Sequence, residues 1–259
     1  MLFRSFAIGT VGTGWAFLIN GVSFVAVLAS LLFLRREELF AQVRATAAGG
    51  GFLEGFRYVW GRPDLRVILL MLFLIGTFGM NFAIWVSTMA VRVFRTDASG
   101  YGLLSTMMAV GTVSGAIMAA GRDRPTFSHL LLGTGGFGIA CFLAAIAPGY
   151  WTFGVALALV GVATITFLNS SNALMQLTTE YAMRGRLMAL RMAITLGGTP
   201  IGAPLIGWLT DAYGPRWSLG VGVVAGLSAA MVGFVYARRH GELPGKHRTR
   251  DTAEKAEPG

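Results

Sequence analysis

Few side chains in this sequence are of a kind that does chemistry, and most of those lie inside long apolar runs. Asn81 sits in one run, with Thr77, Ile84 and Thr88 along the same helical face. In another, Asn169, Asn172 and Gln176 fall at i, i+3 and i+7, with Thr166 on the same side. At helical spacing each set makes one neutral, hydrogen-bonding stripe. Such a stripe either lines a site for a polar solute or bonds one helix to its neighbour, worth about 0.6 kcal/mol per contact in a membrane. A third set, Gly197, Gly198, Pro200, Gly202 and Pro204, acts through the backbone. Proline removes an amide donor and bends a helix, and glycine lets backbones approach. The set marks a bent helix, serving either as a moving gate or as a static kink. Glu180, Arg184 and Arg186 gather charge at the start of that helix. The arginines either hold a gate state, by pairing with Glu180 or with acids of a partner, or simply anchor the helix at a membrane surface.

What is absent excludes several classes. No Asp, Glu, His or Lys stands in the middle of an apolar run. Lys246 and Lys255 both lie near the C-terminus, so no mid-membrane Schiff base can form. There is no HExxH, no paired intramembrane carboxylate, no Ser/His/Asp set and no Walker A sequence. The expectation is a protein that is not an enzyme and uses no cofactor and no metal. The one cysteine, Cys141, can make no intramolecular disulfide. Asp211, at the far end of the bent helix, is placed for a proton relay or, more simply, for a cap or turn.

The elements that must position these residues follow from composition. Of 259 residues, 54% are hydrophobic and only 13% charged. Mean hydropathy is +0.64. Soluble domains usually carry about 25% charged residues. The apolar residues come in blocks near the length that crosses a bilayer, about 20 residues. Such blocks must be helices, because backbone groups in lipid are satisfied only within the segment. Seven spans are expected, over about 13–34, 67–90, 101–120, 130–147, 150–176, 187–211 and 217–237. The fold class is all-α, a polytopic membrane helix bundle.

Charge gives the direction. Of 21 lysines and arginines, sixteen lie after spans one, three, five and seven, and four lie in the alternate segments. The remaining one, Arg191, is one turn into the sixth span. The positive-inside rule then puts the C-terminus in the cytoplasm and the N-terminus outside. Membrane topology accounts for the net charge of +9, so no nucleic-acid partner is expected. The bilayer is the first partner. In the long loop, Phe52, Phe56 and Val59 make a short amphipathic face with basic neighbours. It suits either the membrane surface or packing on the bundle. Pro63 marks the start of the second span. Residues 238–259 are charged and nearly free of apolar residues, the composition of a disordered tail.

The chain also repeats. Gly12 and Trp15 align with Gly214 and Trp217, and Arg35-Arg36 with Arg238-Arg239 after a slip of one residue, with an apolar run between in each case. Five spans separate the copies, so the repeat unit would hold six. Internal repeats of this kind mark transporters. The opening span then reads as the last helix of a first half that is otherwise missing.

Particular motifs carry a family resemblance. Arg184-Gly185-Arg186-Leu187-Met188-Ala189-Leu190, followed by Leu196-Gly197-Gly198-Thr199-Pro200-Ile201-Gly202, resembles the connection from helix ten into helix eleven of the major facilitator superfamily. Arg62-Pro63-Asp64-Leu65-Arg66 is similar to the start of helix seven there. The likeness is to the bacterial exporter branch with enterobactin-exporter-like and macrolide-efflux-like proteins. It covers about residues 11 to 240. Arg191 departs from it, standing where the family usually has a neutral residue, and GRDRPTFSH is a degenerate form of the family's loop between helices eight and nine.

The resemblance implies a partial major facilitator fold. Residues 1–36 would hold the last helix of the first half, 37–66 the loop between halves, 67–237 the six-helix second half and 238–259 the tail. It makes the second and fifth spans cavity-lining, so that Thr77, Asn81, Thr88, Thr166, Asn169, Asn172 and Gln176 become a neutral wall for a small-molecule substrate. The implied function is efflux of a lipophilic drug or siderophore by proton antiport across a bacterial inner membrane. A second expectation is a half-size partner or scaffold protein that pairs with a separately encoded first half and transports nothing alone.

Overall fold

The computed structural model describes residues 13–32, 52–121 and 126–240. The expected tail from 241 on, most of the loop before residue 52 and the middle of the GRDRPTFSH connection lie outside them. The described residues are helical, without a strand. Helix α1, Thr13–Leu32, belongs to one compact unit, and every later helix to a second. In α1, Ser30 turns its hydroxyl back to the Val27 carbonyl at 2.8 Å. That is how a helix satisfies a hydroxyl it cannot expose to water.

The second unit opens with α2, Phe52–Trp60, a nine-residue helix. Val59 is buried, while Phe56 and Trp60 stay exposed and stack at 5.4 Å. Pro63 stands in the first turn of α3, Pro63–Leu74, where its missing N–H costs nothing. A π-helical turn, Ile75–Gly79, and α4, Phe82–Thr88, continue the span, and a second π turn, Met89–Val93, ends it. Three uninterrupted helices follow: α5, Ala98–Ala120; α6, Phe127–Ile146; and α7, Tyr150–Thr178. The next span is α8, Tyr181–Gly197, and α9, Thr199–Tyr213, meeting at Gly198. Gly214, at φ 97°, makes the left-handed turn into α10, Pro215–His240.

Among the described residues six helical stretches are long and apolar enough to cross a membrane, one fewer than the seven expected. The difference is the first. Helix α1 is 20 residues long, and the apolar stretch it contributes to the described residues is the shorter Gly21–Ser30. The other spans begin or end a few residues beyond their expected limits. The largest extension is Tyr181–Tyr213, where the apolar run began at 187 but the helix starts at the charged turn before it. The last helix likewise runs to His240, past the expected limit at 237.

Helix α7 is the hub, packed along α5 and α6, with α10 on the far side of α6. Two apolar clusters fill the interior. One, near the arginine-rich loops, includes Leu65, Ile68, Ile75, Phe127, Phe167, Leu174, Leu187 and Leu190. The other includes Trp85, Met89, Leu104, Phe137, Phe153, Leu157 and Ile206. Between them lies a layer of small and polar residues with Thr77, Asn81 and Thr134 fully or nearly buried. Asp97 starts α5, accepting from the backbone amides of Ser99 and Gly100 at 3.1 Å each. The Ser99 hydroxyl, then the Gly100 amide, hold its carboxyl below the ordinary aspartate range.

Candidate functional site at two broken spans

Both candidate stripes and the glycine-proline set belong to spans whose geometry explains them. The π turn leaves the backbone at Met80 and Asn81 out of helical register, at φ −92°, ψ 33° and φ −99°, ψ 40°. A break at that depth frees backbone groups that lipid cannot satisfy. Asn81 closes it. Its Nδ2 donates back to the Thr77 carbonyl at 2.9 Å. Its own carbonyl accepts from the Ile84 and Trp85 amides at 3.1 and 3.2 Å. The side chain thus splices two helical segments. Its hydrogen bond falls within its own span rather than between helices.

The break is also a contact. Gly198 and Gly202 lie against Thr77 so closely that a methyl at Gly198 would meet the Thr77 hydroxyl, and one at Gly202 the Thr77 carbonyl. In return, a Cβ on Gly76 would come within 3.3 Å of the Thr195 Cα. The Thr77 hydroxyl is buried and has no hydrogen-bond partner. Thr77 and Asn81 therefore sit in the joint between two spans, each interrupted at the same depth. Thr88 bonds locally, donating to the Ile84 carbonyl at 2.6 Å. Within the glycine-proline set, Gly197 has open space around it, and Pro200 and Pro204 are exposed on the other face of α9.

The fifth-span stripe is split. Thr166 opens into a groove of about 290 Å³ against α6, beside Leu132, Gly136, Ile139 and Leu159. Asn169 opens into a second groove, of about 300 Å³, with Ala116, Ala120, His129 and Ser170. Asn172 is half-buried and Gln176 exposed. Among the described residues no hydrogen bond joins Asn81 to Asn169, Asn172 or Gln176.

The charged set is partnered differently from expectation. Arg186 pairs with Glu54 of α2 at 2.7 Å, not with Glu180. The reason is packing: Gly55 of α2 lies where a Cβ would be 3.3 Å from the Arg186 Cβ. Glu180 occupies the N-cap position with its side chain exposed and making no cap bond. Arg184 donates to the Thr179 carbonyl at 3.2 Å and lies over the Tyr181 ring. Asp211 pairs with Arg92 at 2.7 Å, so the far ends of the two broken spans are also tied. Arg62 pairs with Asp64 at 2.7 Å and reaches the Thr178 carbonyl at the end of α7. The bond to Asp64 holds the Arg62 guanidinium above its ordinary pKa. Sequence reasoning missed Glu54 and Arg92. The signal available for Glu54 was an acid in the first turn of a short helix; Arg92 carried none.

Gly111–Gly115 and Gly222–Gly226, each at GxxxG spacing, are packing sites. A Cβ on Gly111 would meet the Ala158 carbonyl of α7, and one on Gly226 would lie 2.6 Å from the Gly138 amide of α6.

Comparisons with known proteins agree with this architecture. The family described as "Transmembrane secretion effector" matches residues 5–252. The multidrug efflux pump Tap of Mycolicibacterium fortuitum is 26% identical over 214 residues, covering 80% of this chain and 51% of that protein. The enterobactin exporter EntS of Salmonella choleraesuis (strain SC-B67) is 30% identical over 237 residues, covering 90% of this chain and 55% of that protein. The chain thus spans about half the length of the curated relatives it matches. No solved structure matches it significantly.

Proposed function

We propose that this chain, which belongs to the transmembrane secretion effector family of major facilitator transporters, forms one half of a secondary exporter for small lipophilic molecules. The observation that carries this is the joint. Two spans are interrupted at one depth and touch there through glycine and backbone, with the Arg92–Asp211 ion pair joining their far ends and Arg186 paired to Glu54 of the neighbouring α2. A helix pair of that build bends at a fixed height when its ends move. That suits alternating access, in which bundles rock about a central site. Pro204 adds flexibility by removing an amide donor from inside α9, while Pro200 stands in its first turn. Asn169, Asn172 and Gln176 are the side chains placed to meet substrate, while Thr77 and Asn81 hold the joint they stand in. Five further helices, from outside these residues or from a partner chain, would complete the first half and with it the cavity. The arginine-rich loops would face the cytoplasm and the inner membrane would be the host. The driving force would be proton antiport.

The test is transport by the native product carrying this sequence, purified and reconstituted in proteoliposomes. Movement of a lipophilic dye such as ethidium, driven by an imposed pH gradient and abolished by a protonophore, is the expected result. No gradient-dependent movement across cationic, neutral and anionic lipophilic compounds overturns export. Transport by the 259 residues alone overturns the half-exporter part.

A further inference from the structure

We propose that Arg191 is an anion-binding residue of the transport path and that the exporter accepts amphipathic organic anions, such as carboxylates and phenolates. This rests on the exporter reading above. Arg191 lies on α8 about 8 Å deeper along the helix axis than Arg186, at ~1.5 Å per residue. It is therefore within the stretch Tyr181–Tyr213 that is long and apolar enough to cross the membrane. A charge at that depth is costly, and such residues face the protein interior or a water-filled path and find a partner.

The other arginines show what a satisfied guanidinium looks like here. Arg62, Arg92 and Arg186 each have a carboxylate at 2.7 Å. Arg216 donates to the Ala145 and Ala147 carbonyls at 3.1 and 2.9 Å. Arg191 has far less. Its Nη2 reaches the Leu168 carbonyl of α7 at 3.3 Å. Its Nε is buried with no hydrogen-bond partner. Among the described residues no carboxylate is in ion-pair range. The side chain reaches inward to α7 rather than into lipid, toward the face where Leu168 and Asn172 stand one turn apart. A half-buried guanidinium that holds one carbonyl and no carboxylate retains donor capacity matching the oxygens of a carboxylate or phenolate. Neutral Asn172, one turn along α7 from Leu168, carries amide donors of its own. The phosphate of an anionic lipid has the same chemistry. The inward direction of the side chain favours a solute.

The test compares two fluorescent probes that differ by one sulfonate: 8-anilinonaphthalene-1-sulfonate and N-phenyl-1-naphthylamine. Binding is measured to the complete native product in phosphatidylcholine nanodiscs, with empty discs subtracted. Arg191→Gln is expected to weaken the anion about tenfold, the scale of a lost charge-assisted hydrogen bond, and to leave the neutral probe within about twofold. Arg191→Lys should restore most of the anion preference, since it keeps the charge and loses only the fork. Retained neutral binding also shows that the variant is folded. An anion preference unchanged in Arg191→Gln overturns the inference and leaves the exporter reading standing. So does loss of both probes in Arg191→Gln and Arg191→Lys alike, which marks a merely structural arginine. Wild-type protein that binds neither probe above empty discs overturns it together with the exporter reading. Loss of the difference between wild type and Arg191→Gln in discs one-third phosphatidylglycerol assigns the arginine to lipid and overturns it too.

Discussion

The two interrupted spans and the uninterrupted helices use glycine in the same way but for different ends. In α5, α6, α7 and α10, glycine draws continuous helices together along their length. Gly111 and Gly115 of α5 pack against α7, Gly161 of α7 answers against α5, and Gly138 and Gly226 bring α6 and α10 into backbone contact. Each contact is one of a series, so none can open without the rest. In the spans Pro63–Val93 and Tyr181–Tyr213 the close contacts are concentrated at one height, where Gly198 and Gly202 meet Thr77 and Gly76 meets Thr195. At their far ends the exposed Arg92–Asp211 ion pair joins the two spans, and at the near end Arg186 is held by Glu54 of α2 instead. Contact distributed along a helix makes it part of a rigid wall. Contact at one point makes a pivot.

The strongest way to break this contrast is to fill the pivot. Gly202→Val drives a branched side chain into the Thr77 carbonyl, which is backbone and cannot swing aside. Overpacking of this kind costs about 1–3 kcal/mol, more when backbone must shift. The expected result is loss of folded protein, measured as a fall in thermal midpoint and in monodisperse yield from detergent. Gly197→Ala, one turn away in open space, should leave both unchanged or slightly improved, because alanine is the better helix former by about 1 kcal/mol. If the two variants behave alike, the pivot is not where the structure places it. Gly111→Val should match Gly202→Val in severity, since it strikes the Ala158 carbonyl. A suppressor of the first is expected at Thr195 or Gly76, and of the second only along α7.

A smaller effect separates the two polar residues at the break. Asn81→Leu removes the donor to the Thr77 carbonyl and leaves that acceptor buried, at a cost of about 1–3 kcal/mol. Thr77→Val should cost nothing. It is isosteric and deletes a buried hydroxyl that bonds to nothing. Thermal midpoints measured in one detergent check both. A loss at Thr77→Val equal to that at Asn81→Leu means the hydroxyl has a partner and the joint is wired differently.

Much of this architecture was legible in the sequence, for a physical reason. Lipid forbids irregular backbone, so an apolar block fixes its helix almost outright. Six of the expected spans appear within a few residues of their limits. The interruption at Gly198 falls within the glycine-proline set, beside Pro200, whose missing amide donor is a property of its own backbone. The break at Asn81 was not legible. Nothing in LLMLFLIGTFGMNFAIW lacks an amide donor, and the π turn lies where α8 and α9, distant in sequence, approach Gly76 and Thr77. A helical stripe through Thr77, Asn81 and Thr88 assumed unbroken periodicity, and a π turn shifts the face of everything after it. Pairings failed for a similar reason. The acid that Arg186 takes, Glu54, comes from α2, far away in sequence and placed by tertiary packing. Glu180 is near in sequence but points elsewhere.

The smallest effects belong to the ends of the broken spans. Arg92 and Asp211 are 51% and 68% exposed, and exposed pairs contribute about 0–1 kcal/mol. Asp211→Asn should therefore shift the thermal midpoint hardly at all, and added salt should erase what shift there is. Its value lies in motion rather than stability. A pivot with weak ties at its ends is balanced between two tilts, and a fraction of a kcal/mol changes the ratio of two nearly equal states severalfold. The measurement is maleimide labelling at a cysteine introduced at Ala212, on a Cys141→Ala background. Faster labelling in Asp211→Asn than in its parent, with the thermal midpoint unchanged, means the pair holds one tilt. Equal labelling means the ends of the two spans move as one piece, and the contrast between pivot and wall would then be one of packing alone.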